Sequence, residues 1–186
     1  KLRELLTQEG VIVIEVNYAK SFFERKNIDM LGQEHLIYYF IQTFSNLVGG
    51  AGLNINDAYL TDMNGGNITF TISRSSNVTD RYKSLVKDEA AWIENFDFDG
   101  FGSTVVREFD KFKEKLISIS KTHSVKVLGA STRGAMIIQM LGLDTNIIDS
   151  AVDLQKNKVG RRIPGTNIEI EYDADHKAPD YYLVMP

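Results

Sequence analysis

The sequence predicts an α/β fold, chiefly because one stretch of its C-terminal half follows the pattern strand, glycine turn, helix, strand. Val125–Leu128 is a short apolar run that stops at Gly129, and a helical pattern extends from about Thr132 to Leu141. A second apolar run, Ile147–Val152, ends on Asp153. Elsewhere in the chain, strand-like runs alternate with helices or long loops. Together these patterns favour a Rossmann-like, three-layer domain in the C-terminal half.

The turn after the first of these strands has the composition of a phosphate-binding loop. A helix N-terminus offers unpaired N–H groups and a partial positive charge to an anion. Gly129 and Gly134 occupy the outer positions of the dinucleotide-binding fingerprint, but Ser131 takes the middle glycine position. Asp153 lies about twenty residues beyond the turn, where such folds bind a ribose hydroxyl. The same residues are equally typical of a tight strand-to-helix turn in any α/β domain.

Residues 1–76 predict a first domain that ends in a hairpin. Its segments, in chain order, are a helix at Lys1–Thr7, a strand at Val11–Val16, an irregular stretch at Asn17–Gly32, a helix at Glu34–Val48, and strands at Leu53–Asp62 and Asn67–Ser73. Asn64, Gly65 and Gly66 lie between the last two strands, and residues of these types allow the tight reversal of a hairpin.

Residues 77–186 predict a second domain, because the polar segment at 75–82 is the best boundary in the chain. Further segments of this domain are helices at Tyr82–Asn95 and Gly102–Lys121, a linking turn at Asp97–Gly100, a basic loop at Lys156–Gly165, and strands at Ile168–Glu171 and Tyr181–Met185. The two helices precede the strand–helix–strand unit, and the loop and strands follow it.

Composition excludes several classes of function. The formal net charge of −4 and a pI near 5.4 argue against nucleic acid or an anionic membrane surface as the main partner. No apolar run approaches the ~20 residues that span a bilayer. The absence of cysteine excludes disulfides and a Cys-type zinc site, and no metal site is expected. A cytoplasmic location is compatible with this composition.

Three segments occur in an order and spacing that resemble the C-terminal domain of the sugar C-methyltransferases. They are GASTRG, VDLQKNKVGRRIPGT and APDYYLVMP. Upstream, GVIVIEVNY, GQEHLIYY and NGGNITFTISR look like the last part of the class I methyltransferase domain of that family. The resemblance covers most of the chain, from about Gly10 to Pro186. It implies that residues 1–76 supply the closing strands and hairpin of a methyltransferase sheet.

The resemblance implies an activity, which is the transfer of a methyl group from S-adenosylmethionine to a ring carbon of a nucleotide-linked deoxysugar. It also implies that the chain is a fragment of a longer enzyme. The glycine-rich loop that holds S-adenosylmethionine would lie upstream, because it precedes a helix and strand such as those at the start of this chain. The fragment alone would then be inactive. The implied partner is the nucleotide sugar, and the oligomeric state is left open.

Glu34, His35 and Tyr38 are the candidate catalytic residues. Methyl transfer to carbon needs a base that removes a proton next to a ketone, and a neutral imidazole suits that role. The family carries the pattern Tyr-x-Glu-His-x-x-Tyr here, and its Tyr, Glu and His are the proposed acid–base and substrate-orienting groups. Gly32 replaces the leading tyrosine. Either His35, Tyr38 or Tyr39 takes over its role, or the methylated atom is an oxygen or a nitrogen.

The candidate substrate-binding residues lie in the C-terminal half. Arg133 stands in the first turn of the predicted helix, where many relatives carry Lys, and its planar donors match phosphate oxygens. Lys158 and Arg161 lie in the basic loop, on the sheet edge where ligands bind in open α/β sheets. The other candidates for substrate binding are Gly129, Ser131 and Gly134 of the glycine segment and Asp153 at the end of the following strand.

Two other functions fit parts of the sequence. The first is a non-catalytic, Rossmann-like module that binds a nucleotide or regulates another domain. The second is half of an NAD-dependent oxidoreductase, which is less favoured because Ser131 adds a side chain where a dinucleotide must approach the backbone.

Overall fold

The computed structural model describes residues 1–32 and 36–185, and the chain divides into two compact units, Lys1–Phe98 and Asp99–Pro186. The division falls later than the polar segment at 75–82. The predicted α/β class is confirmed, since helices accompany both sheets and one sheet is parallel. Within the described residues, no helix is long and apolar enough to cross a membrane.

The first unit is built on a three-stranded antiparallel sheet. Its elements are α1 (Leu2–Leu5), β1 (Val11–Asn17), α2 (Ala19–Arg25), α3 (Ile41–Gly50), β2 (Asn54–Thr61), β3 (Asn67–Ser73) and α4 (Asp80–Asn95). The strand order is β1-β3-β2, so β3 is central. Val11 pairs with Ser73 and Asn17 with Asn67.

The hairpin between β2 and β3 is confirmed, and its turn needs glycine. Gly65 and Gly66 have φ values of +81° and +122°, which side chains rarely adopt. A Cβ on Gly66 would lie 2.6 Å from Cβ of Ser21. The turn therefore also packs closely against Ser21 of α2.

Two expectations for the first unit are wrong. The stretch Asn17–Gly32 is not irregular, because it contains α2 and a short 3-10 helix at Ile28–Met30. The helix predicted from Glu34 begins at Ile41 instead, and the described residues before it, 36–40, are not helical. The apolar spacing of EHLIYYF imitates a helix, whereas Tyr39 forms a parallel bridge with Tyr18 at the end of β1.

The second unit holds a four-stranded parallel sheet. Its elements are α5 (Phe98–Ser120), which begins at the boundary, β4 (Val125–Leu128), α6 (Thr132–Leu141), β5 (Ser150–Asp153), β6 (Ile170–Tyr172) and β7 (Tyr181–Val184). The strand order β6-β5-β4-β7 places the strand–helix–strand unit β4-α6-β5 at the centre of the sheet. Every residue of β5 is buried, as expected for an inner parallel strand.

The predicted α6 is confirmed with its bounds, and Gly142 ends it at a φ of +58°. The turn expected at Asp97–Gly100 is wrong, because α5 already begins at Phe98. The strand expected from Ile147 begins only at Ser150, since Ile147 and Ile148 donate their N–H groups to the carbonyl of Asp144 in a turn.

Each unit has its own apolar core. In the first unit, residues of α3 and α4 pack on the antiparallel sheet, with Ile41, Phe70 and Ile72 among the most buried. In the second unit, residues of α5 and α6 share a core with β4 and β5, including Val127 and Ile138. Both candidate sites lie outside these cores, at the ends of strands.

Candidate functional sites at two strand ends

The glycine turn of the second unit connects β4 to α6 and is held by its own backbone. Gly129 has a φ of +92°, and its N–H donates to the carbonyl of Val152 at 2.8 Å. Ser131 caps the helix, because its Oγ accepts from the N–H of Gly134 at 2.9 Å. A Cβ on Gly134 would lie 2.8 Å from Cβ of Met185. A glycine at position 134, in the first turn of α6, is therefore required for close packing against the residue that follows β7.

Asp153 ties the glycine turn to the loop after β5. Its Oδ2 accepts from the N–H of Ala130 at 2.9 Å and from the Lys158 ammonium at 2.9 Å. Its Oδ1 accepts from the N–H of Gln155 at 2.8 Å. The Lys158 ammonium also donates to the carbonyl of Ala130 at 3.0 Å. The two members of the ion pair thus hold both backbone polar groups of Ala130, because Asp153 bonds to its N–H and Lys158 to its carbonyl.

The surroundings of Asp153 keep its carboxylate charged. Burial alone would raise the pKa of Asp153, but the Gln155 N–H, the Lys158 ammonium and the Ala130 N–H hold it below the ordinary value. The residue is 9% exposed. Its two oxygens accept protein donors, and this geometry suits a clamp between loops better than the expected contact with a ribose hydroxyl.

The structure brings five of the predicted substrate-binding residues together. The hydrogen bonds described above, or the turn itself, connect these five residues, which are Gly129, Ser131, Gly134, Asp153 and Lys158. Arg133 is half-buried in the first turn of α6. Arg161 is exposed, and its carbonyl accepts from the N–H of Ile170 at 2.8 Å, which places it beside the edge strand β6.

Tyr38 is the candidate catalytic residue of the first unit that the structure describes. Its ring packs on Phe22 at a centroid distance of 5.0 Å, and its hydroxyl donates to the carbonyl of Met30. Burial, and to a lesser degree the charge of Asp29, raises the pKa of Tyr38 above its ordinary value. The phenol is therefore protonated at neutral pH. Glu34 and His35 lie outside the described residues.

The segment after Tyr38 is fixed to the end of β1. The N–H of Tyr39 donates to the carbonyl of Asn17 at 3.2 Å, and the carbonyl of Tyr39 accepts from the N–H of Ala19 at 3.0 Å. At the next turn, Glu89 of α4 accepts from the N–H groups of Ile41 and Gln42.

Sequence reasoning did not find Glu89, although a signal exists. It stands at helical spacing from the apolar residues Leu85, Val86 and Ile93, so it interrupts an otherwise apolar side of α4. A charged residue in such a stripe points to a buried polar contact. Among the described residues, no group of three or more His, Cys, Asp or Glu side chains could hold a metal ion.

Comparison with known proteins identifies the family. Residues 62–186, more than half of the chain, match the model of the C-methyltransferase C-terminal domain. The C-methyltransferase NovU of Streptomyces niveus is 25% identical over 192 residues, which cover 97% of this chain and 45% of that protein. The chain therefore spans less than half the length of this relative. By the match of residues 62–186, the chain belongs to the C-methyltransferase C-terminal domain family.

Proposed function

We propose that the chain is part of an S-adenosylmethionine-dependent methyltransferase that transfers a methyl group to carbon in a nucleotide-linked deoxysugar. The observation that carries the proposal is the family match over residues 62–186. The similarity to a protein named as a C-methyltransferase supports it over 97% of the chain. The proposed setting is the cytoplasm.

The first unit would supply the acid–base chemistry. His35 would remove the proton next to the sugar ketone, and Glu34 would orient His35 or hold a sugar hydroxyl. Tyr38 would act as a donor and not as a base, because its raised pKa keeps the phenol protonated. Its hydroxyl, which donates to the Met30 carbonyl in this structure, would turn to donate to the oxygen on which negative charge develops. This assignment gives Tyr38 part of the role of the family tyrosine that Gly32 replaces.

The second unit would hold the nucleotide part of the substrate. The glycine turn presents the N-terminal end of α6, and Arg133 stands in its first turn. The strand order β6-β5-β4-β7 supports a Rossmann-like arrangement, because in chain order it is the 3-2-1-4 succession of doubly wound sheets. In such sheets a ligand binds where the order reverses, and here that is between β4 and β7 at the glycine turn.

The geometry of Asp153 weakens the NAD alternative. A dinucleotide fold needs an acid at this position to accept from a ribose hydroxyl. Here both oxygens of Asp153 accept from groups of the protein, and only 9% of the residue is exposed. A nucleotide sugar bound through its phosphates does not require that contact.

S-adenosylmethionine would supply an electrophilic methyl group. Among the described residues of the first unit, the turn that follows β1 does not fit it, because that turn is not glycine-rich. The junction of β1 and α2 is Tyr18, whose side chain is buried at 2% exposure. The cofactor would then be held by other residues, and we expect this chain alone to bind it weakly in calorimetry.

The activity is tested in the protein that carries this chain, with S-adenosylmethionine and a nucleotide-linked keto sugar. Transfer of labelled methyl to carbon is expected, and His35→Ala should lower its rate by about 10²–10⁴-fold, as for other general bases. His123→Ala, the same change at an exposed histidine, is the control and should leave the rate within about twofold. No methyl transfer by the unaltered protein would overturn the proposal.

The substrate-binding role of the second unit has a separate test. Arg133→Ala should weaken binding of a nucleoside diphosphate or its sugar by about 10- to 100-fold, the value of a charge-assisted hydrogen bond. Arg107→Ala, at an exposed arginine of α5, is the control. Added salt should also weaken binding by the unaltered protein. Preference for NAD would contradict the assignment, and nucleotide binding without methyl transfer would favour the non-catalytic module.

A further inference from the structure

Glu89 is a buried charged residue that the proposed chemistry does not use. It lies in α4 and is 2% exposed. Its Oε2 accepts from the N–H of Ile41 at 2.8 Å, and its Oε1 accepts from the N–H of Gln42 at 3.2 Å. Burying a carboxylate is costly unless donors compensate it. Backbone donors compensate Glu89 here, through contacts that an apolar residue could not make.

The contacts of Glu89 lie at the start of α3. The residue before this helix, Phe40, makes no side-chain capping bond, so the first N–H groups lack a local acceptor. Glu89 provides the acceptor from a position far along the chain. A carboxylate is also favoured there by the positive end of the helix dipole. The start of α3 is therefore set by α4 and not by its own sequence.

Tyr18 extends the same contact to the end of β1. Burial raises the pKa of Tyr18, and the charge of the nearby Glu89 carboxylate raises it further. The phenol thus remains protonated close to Glu89. The backbone of Tyr18 forms the parallel bridge with Tyr39. The Glu89 carboxylate consequently bonds to the first turn of α3 and lies close to the phenol of Tyr18 at the end of β1.

The segment that these contacts fix is the one that follows the candidate catalytic residues. Tyr38 directly precedes the bridged Tyr39, and Ile41 begins the helix three residues after Tyr38. We propose that Glu89, with Tyr18, is a positioning residue that fixes the Tyr38 segment for proton transfer. The inference rests on the proposed function, because it assigns the purpose of the contact to methyl transfer.

The test compares Glu89→Gln and Tyr18→Phe with two controls in the protein that carries the chain. Glu89→Gln keeps the shape but turns an amide N–H group toward a backbone N–H. It should lower kcat by about tenfold, the equivalent of a hydrogen bond to a charged group, and leave KM for the sugar nucleotide within about twofold. Tyr18→Phe should lower kcat in the same direction by a smaller factor.

The controls separate positioning from stability alone. Glu94→Gln changes an exposed acid of the same helix and should leave kcat unaltered. Ile55→Val thins the core of the same unit and lowers the melting temperature without touching Glu89. Hydrogen exchange at the amides of Ile41 and Gln42 should accelerate in Glu89→Gln and not in Ile55→Val.

The outcomes are distinguishable. A tenfold loss in kcat with faster exchange at α3, absent from both controls, supports the inference. If Glu89→Gln keeps full kcat in a protein that transfers methyl groups, or if Ile55→Val loses as much, the inference is overturned. If the unaltered protein transfers no methyl group, the proposed function fails first, and the positioning role fails with it.

Discussion

The two units fix their candidate segments by different physical means. In the first unit, the buried carboxylate of Glu89 accepts from two backbone N–H groups, and the phenol of Tyr18 lies close to it. In the second unit, the ion pair of Asp153 and Lys158 clamps the turn, with side-chain exposures of 9% and 28%. The difference teaches that the first contact pairs one side-chain carboxylate with neutral backbone donors, whereas the second also needs a charged side chain as donor.

The sheets of the two units also differ in how their neighbouring strands are connected. The hairpin of the first unit needs only a glycine turn, because antiparallel neighbours follow each other in the chain. The parallel sheet of the second unit needs long connections, so its loops must be tied together by side chains. Asp153 provides such a tie between the loops that follow β4 and β5.

The largest expected effect is loss of the clamp in the second unit. Asp153→Ala removes the acceptor of two backbone N–H groups and leaves the Lys158 ammonium with the Ala130 carbonyl but no carboxylate, which should lower the free energy of unfolding of this unit by about 3 kcal/mol. Thermal unfolding, with hydrogen exchange in β4 and α6, measures the loss. Asp110→Ala, at an exposed acid of α5, should change little. Equal stability of both variants would remove the contrast between the units.

A smaller effect is expected from crowding the glycine turn. Gly134→Ala places a Cβ 2.8 Å from Cβ of Met185 and 3.0 Å from Oγ of Ser131. Overpacking of this kind should cost about 2 kcal/mol in thermal unfolding. Gly102→Ala in α5 meets no atom within 4 Å and should instead be neutral or stabilising. If Gly134→Ala left the stability in thermal unfolding unchanged, Met185 would have to move aside without cost.

The smallest expected effect is on the pH dependence of stability, which distinguishes the contact at Tyr18 in the first unit from the ion pair of Asp153 in the second. The pKa of Asp153 is lowered, so its contribution to stability is present above the ordinary value of 3.8 and is lost as pH falls through the folded value. The pKa of Tyr18 is raised, so its contribution is present below the ordinary value of 10.0 and is lost as pH rises through the folded value. Denaturant unfolding at a series of pH values should show acid loss to which Asp153 contributes and alkaline loss to which Tyr18 contributes. Asp153→Asn should reduce the acid loss, to which Glu171 and Asp180 with their lowered pKa values also contribute, and Tyr18→Phe should reduce the alkaline loss.

Local signals in the sequence predicted most of the second unit. An apolar run, a glycine and the start of a helical pattern follow one another within a few residues. Ser131 supplies the cap of α6 from the position just before the helix. The location of Asp153 was also predictable from spacing. Its orientation was not, because Lys158 and the Ala130 backbone decide it.

The first unit shows why sequence reasoning failed in particular places. The start of α3 depends on Glu89, which is distant in the chain, so the apolar spacing before Ile41 indicated a longer helix than the one that forms. The short helix α2 was missed because its seven residues lack a capping side chain and a clear period. The candidate catalytic pair Glu34 and His35 remains a prediction.

The position of β7 has a consequence for the order of folding. β4 lies between β5 and β7, yet β7 comes last among the strands, and Met185 after it packs against Gly134. As the chain is synthesised, β4 and α6 emerge well before the strand that covers the open edge of β4. The packing of Gly134 against Met185 can therefore form only after residues 181–185 have left the ribosome. This non-local pairing should make closure of the parallel sheet a late and slow event.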